Sequence, residues 1–579
     1  MRTKLFLPLM LGALIGCDGR YNLGDLSDAV TAGASGSNSS GTSGTSGTSN
    51  GGSANANSAG TSGNAGSANG GSSGSSEAGS AGASGSTDGG SGGTGPLNPS
   101  RWLALETFVS TTSTQTELSL VDLVNPGAVP IILESQAATI DSFSPDGHWL
   151  LYRVFSTADL SDLYLVNIAV DPSTYHFALT TSYDAPCKWA PDSSRLACIK
   201  VNAATDTPAS EAVYFDTSSA TLGAEQSLGE GERDLAFLDA STLVYGFGVD
   251  DFARVAWQGQ THATPQTLGV GGGLISQQSP DGGRAFVKRT DPSDAGQALV
   301  DFRAGQATAI DGKYAFSISP SFEIGFASVA PGSGEVGEGK YSFWVVNGVQ
   351  PTDVAEEPIT QERGINPAFQ IFGRTVARLL NGRVTVTTLG NSSIALEDAV
   401  AGDYSNVNWL NVDPTGTWLY FGTAELDGQN QFIASSTKHY LSRLDPTGPS
   451  AAHLIGQGYL GQVVRFSPDG QHLLLAGYDT SSSVPMAFHL FDLSVLAPGN
   501  SDPGDYTLDL PFNWSDPVWS PDSRYLSFIG GAPQTGSRPN YVVDAEAPTA
   551  APRLVIECGP GTPSSPTCPV AALFQPPVR

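Results

Sequence analysis

Phe143-Ser144-Pro145-Asp146-Gly147 is the stretch that decides the fold, because the chain keeps returning to it. Copies stand at Trp189-Ala190-Pro191-Asp192-Ser193, Ser279-Pro280-Asp281-Gly282, Phe466-Ser467-Pro468-Asp469-Gly470 and Trp519-Ser520-Pro521-Asp522-Ser523. Weaker ones are Ser319-Pro320-Ser321 and Asp413-Pro414-Thr415-Gly416. Proline presets φ for the first turn position, aspartate bonds its own local backbone, and glycine accepts positive φ, so each copy reads as a tight hairpin turn. The aspartates are therefore structural, not catalytic. Each turn follows a short apolar stretch and precedes an alternating one, such as Trp149-Leu150-Leu151-Tyr152 or Tyr525-Leu526-Ser527-Phe528.

A third strand comes next, often ending in aspartate, as in Ala212-Val213-Tyr214-Phe215-Asp216 and Phe488-His489-Leu490-Phe491-Asp492. A fourth follows, as in Arg553-Leu554-Val555-Ile556. Four short strands per repeat describe the blade of a β-propeller, an all-β fold of four-stranded antiparallel sheets. The Ser-Pro-Asp-Gly turn resembles the WD40-like repeat of the TolB family, also seen in propellers fused to prolyl-oligopeptidase-type peptidases. The resemblance covers essentially all of 101–579.

Turn spacing gives the blade number. Ser144 to Ser520 spans 376 residues, which at roughly 47 per unit holds eight intervals. Two intermediate turns are then degenerate, Leu238-Asp239-Ala240-Ser241 and one near Asn366 to Gly373. The expectation is one ring of eight or more blades, with insertions or two rings as alternatives. Strands at Leu103–Val109, Leu118–Leu123 and Val129–Leu133 lack an inner partner. The C-terminal run Val570-Ala571-Ala572-Leu573-Phe574 can supply it, so both ends of the chain meet in one composite blade.

Ahead of the repeats the chain carries an address. Met1-Arg2-Thr3-Lys4 leads into an apolar run from Leu5 to Ile15, then Gly16-Cys17. A basic start and a short apolar core make a secretory signal, too short to cross a bilayer as a helix. Leu14-Ile15-Gly16-Cys17 resembles the lipobox of bacterial lipoproteins. That resemblance implies a signal peptide over 1–16 and a diacylglyceryl group on the Cys17 thiol. It also implies acylation of the new amino terminus, with palmitate as the usual label. The alternative is an ordinary signal with an incidental cysteine. Residues 17–30 form the anchored N-terminus, and Asp18 leaves inner against outer membrane open.

From Thr31 to Pro99 the sequence is nearly all Gly, Ser, Ala, Thr and Asn, including Gly41-Thr42-Ser43-Gly44-Thr45-Ser46-Gly47-Thr48-Ser49. Such a stretch cannot offset its ordering entropy by burial and is predicted to be disordered. About 70 residues of flexible chain span on the order of 45 Å, with a taut limit near 240 Å. After a lipidated cysteine this reads as a tether, with a dispensable expansion as the alternative.

The formal net charge is −29, from 56 acidic and 27 basic residues, which argues against a nucleic-acid partner. It also disfavours electrostatic docking on anionic lipid, so the bilayer is expected to be met only through acylated Cys17. Five cysteines leave four after lipidation, in two close pairs, Cys187 with Cys198 and Cys558 with Cys568. In an oxidising compartment these read as disulfides. Cys187 and Cys198 fall opposite each other on a hairpin centred between Asp192 and Ser193, on one face with Trp189 and Leu196. Cys558–Cys568 would pin the last outer strand to the closing strand. A zinc site is disfavoured, because no Cys-x-x-Cys and no nearby histidine pair exists.

No linear catalytic motif stands out, and no cofactor or metal is expected. The Gly-x-Ser-x-Gly elbow of a hydrolase is missing outside the tether, and the seven histidines form no ligand pair. His148 and His472, beside their turns, read as exposed strand starts. Asp159-Leu160-Ser161-Asp162 lacks the ligand alternation of a calcium loop, and Gly269-Val270-Gly271-Gly272-Gly273 reads as a loop between blades. Trp344, Trp409 and Trp514 read as core before they read as a sugar platform. The expectation is a cell-envelope lipoprotein, not an enzyme, whose propeller is a scaffold for an envelope protein or polysaccharide. The alternatives are a carbohydrate- or peptide-active enzyme whose site is drawn from several blades, and a structural component without a discrete ligand.

Overall fold

A computed structural model describes residues 100–576, apart from isolated positions and pairs and the segments 109–115, 156–159, 183–185, 203–208, 248–250, 290–295, 311–314, 330–339, 356–368, 391–393, 428–432, 479–486, 497–503, 511–513, 532–538 and 557–568. The described part is almost wholly strand. Ten antiparallel sheets follow one another along it, each with its strands in sequence order except the first. Blade 1 is composite, with Trp102–Phe108, Thr116–Asp122 and Ile131–Glu134 joined by Pro569–Phe574 at the inner edge. Blades 2 to 10 cover residues 138–182, 187–230, 235–267, 274–310, 315–355, 369–399, 407–457, 460–508 and 514–556.

Ten buried apolar clusters lie between these sheets, one for each pair of neighbours. The cluster around Leu150 and Tyr152 joins blades 1 and 2, for example, and that around Leu474 and Phe528 joins blades 9 and 10. The last pair is what closes the ring. Tyr525 and Val542 of blade 10 pack with Leu103, Leu105 and Phe574 of blade 1. The chain therefore forms one closed propeller of ten blades, beyond the usual four to eight. All nine turns predicted from spacing belong to real blades, the two degenerate ones included, and the composite blade is the tenth.

The turns explain why the motif recurs. Ser144 Oγ donates to Asp146 Oδ1 at 2.6 Å and accepts the Trp149 N–H at 2.9 Å, while the same carboxylate oxygen takes the His148 N–H at 3.0 Å. Serine and aspartate together hold the strand start, and Ser279, Ser467 and Ser520 repeat the arrangement. Gly147, Gly282 and Gly470 sit at φ near 70°. Neighbouring blades press on them. A Cβ on Gly282 would strike the Phe237 carbonyl, and one on Gly470 the Asp413 carboxylate.

Ser193 and Ser523 occupy the glycine position at φ 61° and 62°. A left-handed non-glycine residue costs roughly 1–2 kcal/mol. Here the hydroxyl gives something back, since Ser193 Oγ accepts the Asp146 N–H at 2.8 Å and Ser523 Oγ accepts the Asp469 N–H at 3.0 Å. Each bond ties the turn of one blade to that of the next.

Cys187 pairs directly with Cys198 across the first hairpin of blade 3 and is disulfide-bonded to it, while Trp189 pairs with Leu196. The other pair, Cys558 and Cys568, lies outside the described residues. Closing a loop with 11 residues of separation is worth about 3 kcal/mol in the chain-entropy model. The hairpin is already held between blades 2 and 4, so Cys187→Ala with Cys198→Ala is expected to cost less than that. Urea unfolding under oxidising and reducing conditions checks this. A loss of cooperative folding would show that the hairpin depends on its staple.

Candidate functional site

One face of the ring carries the Ser-Pro-Asp turns and also the ends of the third strands, and both positions favour carboxylates. Asp122, Asp216, Asp301, Asp492 and Asp544 end third strands and cap the chain that follows, as when Asp301 Oδ1 accepts the Arg303 and Ala304 N–H groups at 2.9 and 2.8 Å. These join the turn aspartates Asp146, Asp192, Asp281, Asp469 and Asp522, so that face is strongly acidic.

Arginines offset part of this charge and lace the blades together. Arg101 bonds Asp122 at 2.8 Å, Arg303 bonds Asp281 at 3.2 Å, and Arg524 bonds Asp544 at 3.1 Å. Arg195, Arg254, Arg303 and Arg553 donate to carbonyls of an adjacent blade. Burial pushes the Asp281 carboxyl up, but its Ser279, Gly283 and arginine neighbours outweigh that and hold it below the usual range. Asp122 is depressed in the same way, with Arg101 and Asn125 overcoming its burial.

Between blades 9 and 10 this face opens into a cleft of ≈ 360 Å³. Asp469, Asp492 and Glu546 bring carboxylates to its wall, Gln471 and Ser494 neutral polar groups, and His472 and Tyr506 rings. Ala545 and Pro548 give it apolar surface, with the buried Leu490 behind them. Asp469 uses Oδ1 on Ser467 and the Gln471 N–H, and Asp492 uses Oδ1 on Ser494. Their Oδ2 atoms make no bond among the described residues. Such a wall can bind a cationic or polyhydroxylated group.

The residues singled out in the sequence scatter. Cys17 lies outside the described residues, as do Cys558, Cys568 and Asp159. His148 sits 3.2 Å from its own turn aspartate, Asp146, and His489 sits 3.0 Å from Asp505. His439 is fully buried against Tyr420, whose hydroxyl lies 2.8 Å from Nδ1. Trp344 and Trp409 pack partly buried against core clusters. The Trp514 side chain lies outside the described residues. In the glycine-rich segment, the Asp251 carboxylate accepts the Gly269 and Val270 N–H groups at 2.7 and 3.1 Å, so an internal anion takes the donors a phosphate would need. Of all these residues the cleft contains only His472, and sequence reasoning missed it as a site because its members are unremarkable one by one.

No family model and no curated protein matches the chain. It is similar to solved structures at low identity. A crystal structure of a eukaryotic initiation factor shares 13% identity at TM-score 0.45, covering 83% of this chain and 100% of that one. TolB from Acinetobacter baumannii shares 14% at TM-score 0.23, covering 52% and 65%. Dipeptidyl peptidase 4 from Porphyromonas gingivalis shares 12% at TM-score 0.38, covering 72% and 59%. Others are the tricorn protease, prolyl endopeptidases and an oligogalacturonate lyase in complex with manganese. Most of these are hydrolases and lyases by name, and this corrects the expectation that the chain is not an enzyme. A propeller can assemble a site from several blades and leave no linear motif, so the missing elbow excludes nothing.

Proposed function

We infer that this chain is an envelope lipoprotein, anchored through acylated Cys17 and held off the membrane by the segment 31–99, whose propeller binds a protein or polysaccharide. The observation that carries the anchoring is Leu14-Ile15-Gly16-Cys17 placed directly after a basic start and a short apolar run. Stable anchoring needs more than one acyl chain, which the lipoprotein pathway supplies at a single cysteine. What supports binding is the closed ring, a rigid frame whose acidic face holds an open cleft. The cleft also favours a second reading. It gathers His472, Asp469, Asp492, Glu546 and Tyr506 from two blades, which fits a carbohydrate- or peptide-active site without a linear motif.

Cys17→Ser is expected to move the protein from the membrane to the soluble fraction and to abolish palmitate incorporation. Labelling that persists in the variant would overturn the anchor. The released variant is then a soluble probe for a glycan array and for capture from envelope extracts. A saccharide hit turned over by the protein would favour the second reading, and a single retained protein the first.

A further inference from the structure

Register makes the blades comparable position by position. Trp102 pairs with Asp122 in blade 1, His472 with Asp492 in blade 9, and Tyr525 with Asp544 in blade 10. The residue before each of these second strands therefore stands beside the carboxylate ending the third. In blades 1 and 10 that residue is an arginine, and its guanidinium rests on the carboxylate, Arg101 on Asp122 at 2.8 Å and Arg524 on Asp544 at 3.1 Å. In blade 9 it is Gln471, which carries no charge.

The cleft opens at this position. Blades 3 and 5 also lack the arginine, with Ser194 and Gly283 in its place. In blade 3, however, the chain closes over the site, so that a Cβ on Gly223 would come within 2.9 Å of the Asp216 Cβ. In blade 5 the Arg303 guanidinium lies there, 3.2 Å from where a Cβ on Gly283 would stand. In blade 9 no described residue closes over Asp492 in this way, and Glu546 of blade 10 adds a further carboxylate to the cleft. His472, on the same wall, has a shielded Nδ1 without a partner among the described residues. The cleft thus has the anionic half of an ion pair that two other blades complete internally.

We propose that the cleft between blades 9 and 10 binds an alkylguanidinium group, filling the place that Arg101 and Arg524 fill in their own blades. Asp469 and Asp492 offer the fork-shaped donor set two carboxylates, and a planar guanidinium matches such acceptors better than an ammonium does. Ala545 and Pro548 line the cleft beside the alkyl stem, and Tyr506 stands on the same wall. The group can come from an arginine of a partner polypeptide or from a small free guanidine. The first source rests on the reading of the propeller as a binding scaffold, and the chemistry of the cleft does not.

The test is calorimetric titration of the full-length Cys17→Ser protein in 0.15 M salt, which screens the general attraction of an acidic surface. The probes are agmatine, Nα-acetyl-arginine methylamide, the peptide Gly-Gly-Arg-Gly-Gly, and the citrulline counterpart of that peptide as a neutral isostere. Saturable binding of the guanidinium probes, at least tenfold tighter than the citrulline peptide, is the expected result. Gln471→Arg should supply the missing cation internally and lower that affinity at least tenfold while the protein stays folded. Asp492→Asn should do the same by removing the acceptor, and it serves if Gln471→Arg fails to fold. Tighter binding of the peptide than of agmatine identifies a polypeptide source, and the reverse a free guanidine. Equal binding of the citrulline peptide, no saturation, or affinity unchanged in both variants would overturn the proposal. A protein that captures an envelope partner but binds none of the guanidinium probes would sink the cleft and leave the scaffold standing. Agmatine binding with no captured partner would do the opposite.

Discussion

Gln575→Ala is expected to unlock the seam of the ring. This side chain, 3% exposed, is the point where both ends of the propeller and the first turn meet. Its Oε1 accepts the Trp102 and Arg101 N–H groups at 3.1 and 3.2 Å, and its Nε2 donates to the Gly147 carbonyl at 2.7 Å. Truncation strands two donors and an acceptor. At about 1–3 kcal/mol for each unsatisfied buried group, the cost is on the order of 3–5 kcal/mol after water relieves part of it. The loss should be local at first. Residues 102–108 and 569–574 should lose hydrogen-exchange protection at denaturant concentrations where blades 4 to 7 keep theirs. Gln575→Glu keeps the shape and the acceptors but removes the Nε2 donor, so it should fall between. Exchange at the seam unchanged from the parent protein would show that strand pairing alone closes the ring.

The contrast between Gln575 and the turns says what a sequence can disclose. Ser-Pro-Asp-Gly is legible because the backbone itself demands those residue types, so each copy announces a blade wherever it falls. Even the degenerate copy at Leu238-Asp239-Ala240-Ser241 follows, since Asp239 Oδ1 accepts the Ser241 N–H at 2.8 Å. The composite blade was legible for a related reason, as a strand without a blade and a blade without a strand imply each other. Gln575 was not, because an amide is chemically ordinary and its role exists only once residues more than 400 positions apart are adjacent. The cross-blade bonds of Ser193 and Ser523 were hidden likewise, behind a residue that reads simply as a poorer glycine. The cleft is harder still. Its signal is a charge missing at Gln471, visible only after the strand register has aligned blade 9 with blades 1 and 10.

Asp413 is the place where one residue does the work of two, and this makes its removal costly. It stands where five other turns have serine, at Ser144, Ser279, Ser319, Ser467 and Ser520, and it is fully buried. Oδ1 accepts the Trp418 N–H at 2.5 Å, as the serine hydroxyl does elsewhere, while Oδ2 accepts the Thr415 N–H at 3.0 Å and the Thr415 hydroxyl. Asp413→Ala is therefore expected to cost on the order of 2–4 kcal/mol, through donors left unpaired beneath the turn of blade 9. The carboxylate also carries a penalty. Burial pushes its pKa above the ordinary value, and the hydrogen bonds from Thr415 and Trp418 only partly oppose that. A carboxyl with a raised folded pKa binds its proton more tightly in the folded chain. Its contribution is then fullest below the unfolded value and is lost as pH rises through the folded one. Asp413→Ser combined with Thr415→Asp rewrites the turn in the form of its neighbours, with the charge moved to the exposed position. Relative to this double variant, the parent protein should be most stable near pH 4 and lose ground steadily towards pH 7. Urea midpoints at pH 4, 5.5 and 7 decide the matter. A parent protein that gained on the variant as pH rose would mean that the hydrogen bonds at Asp413, not its burial, set the balance.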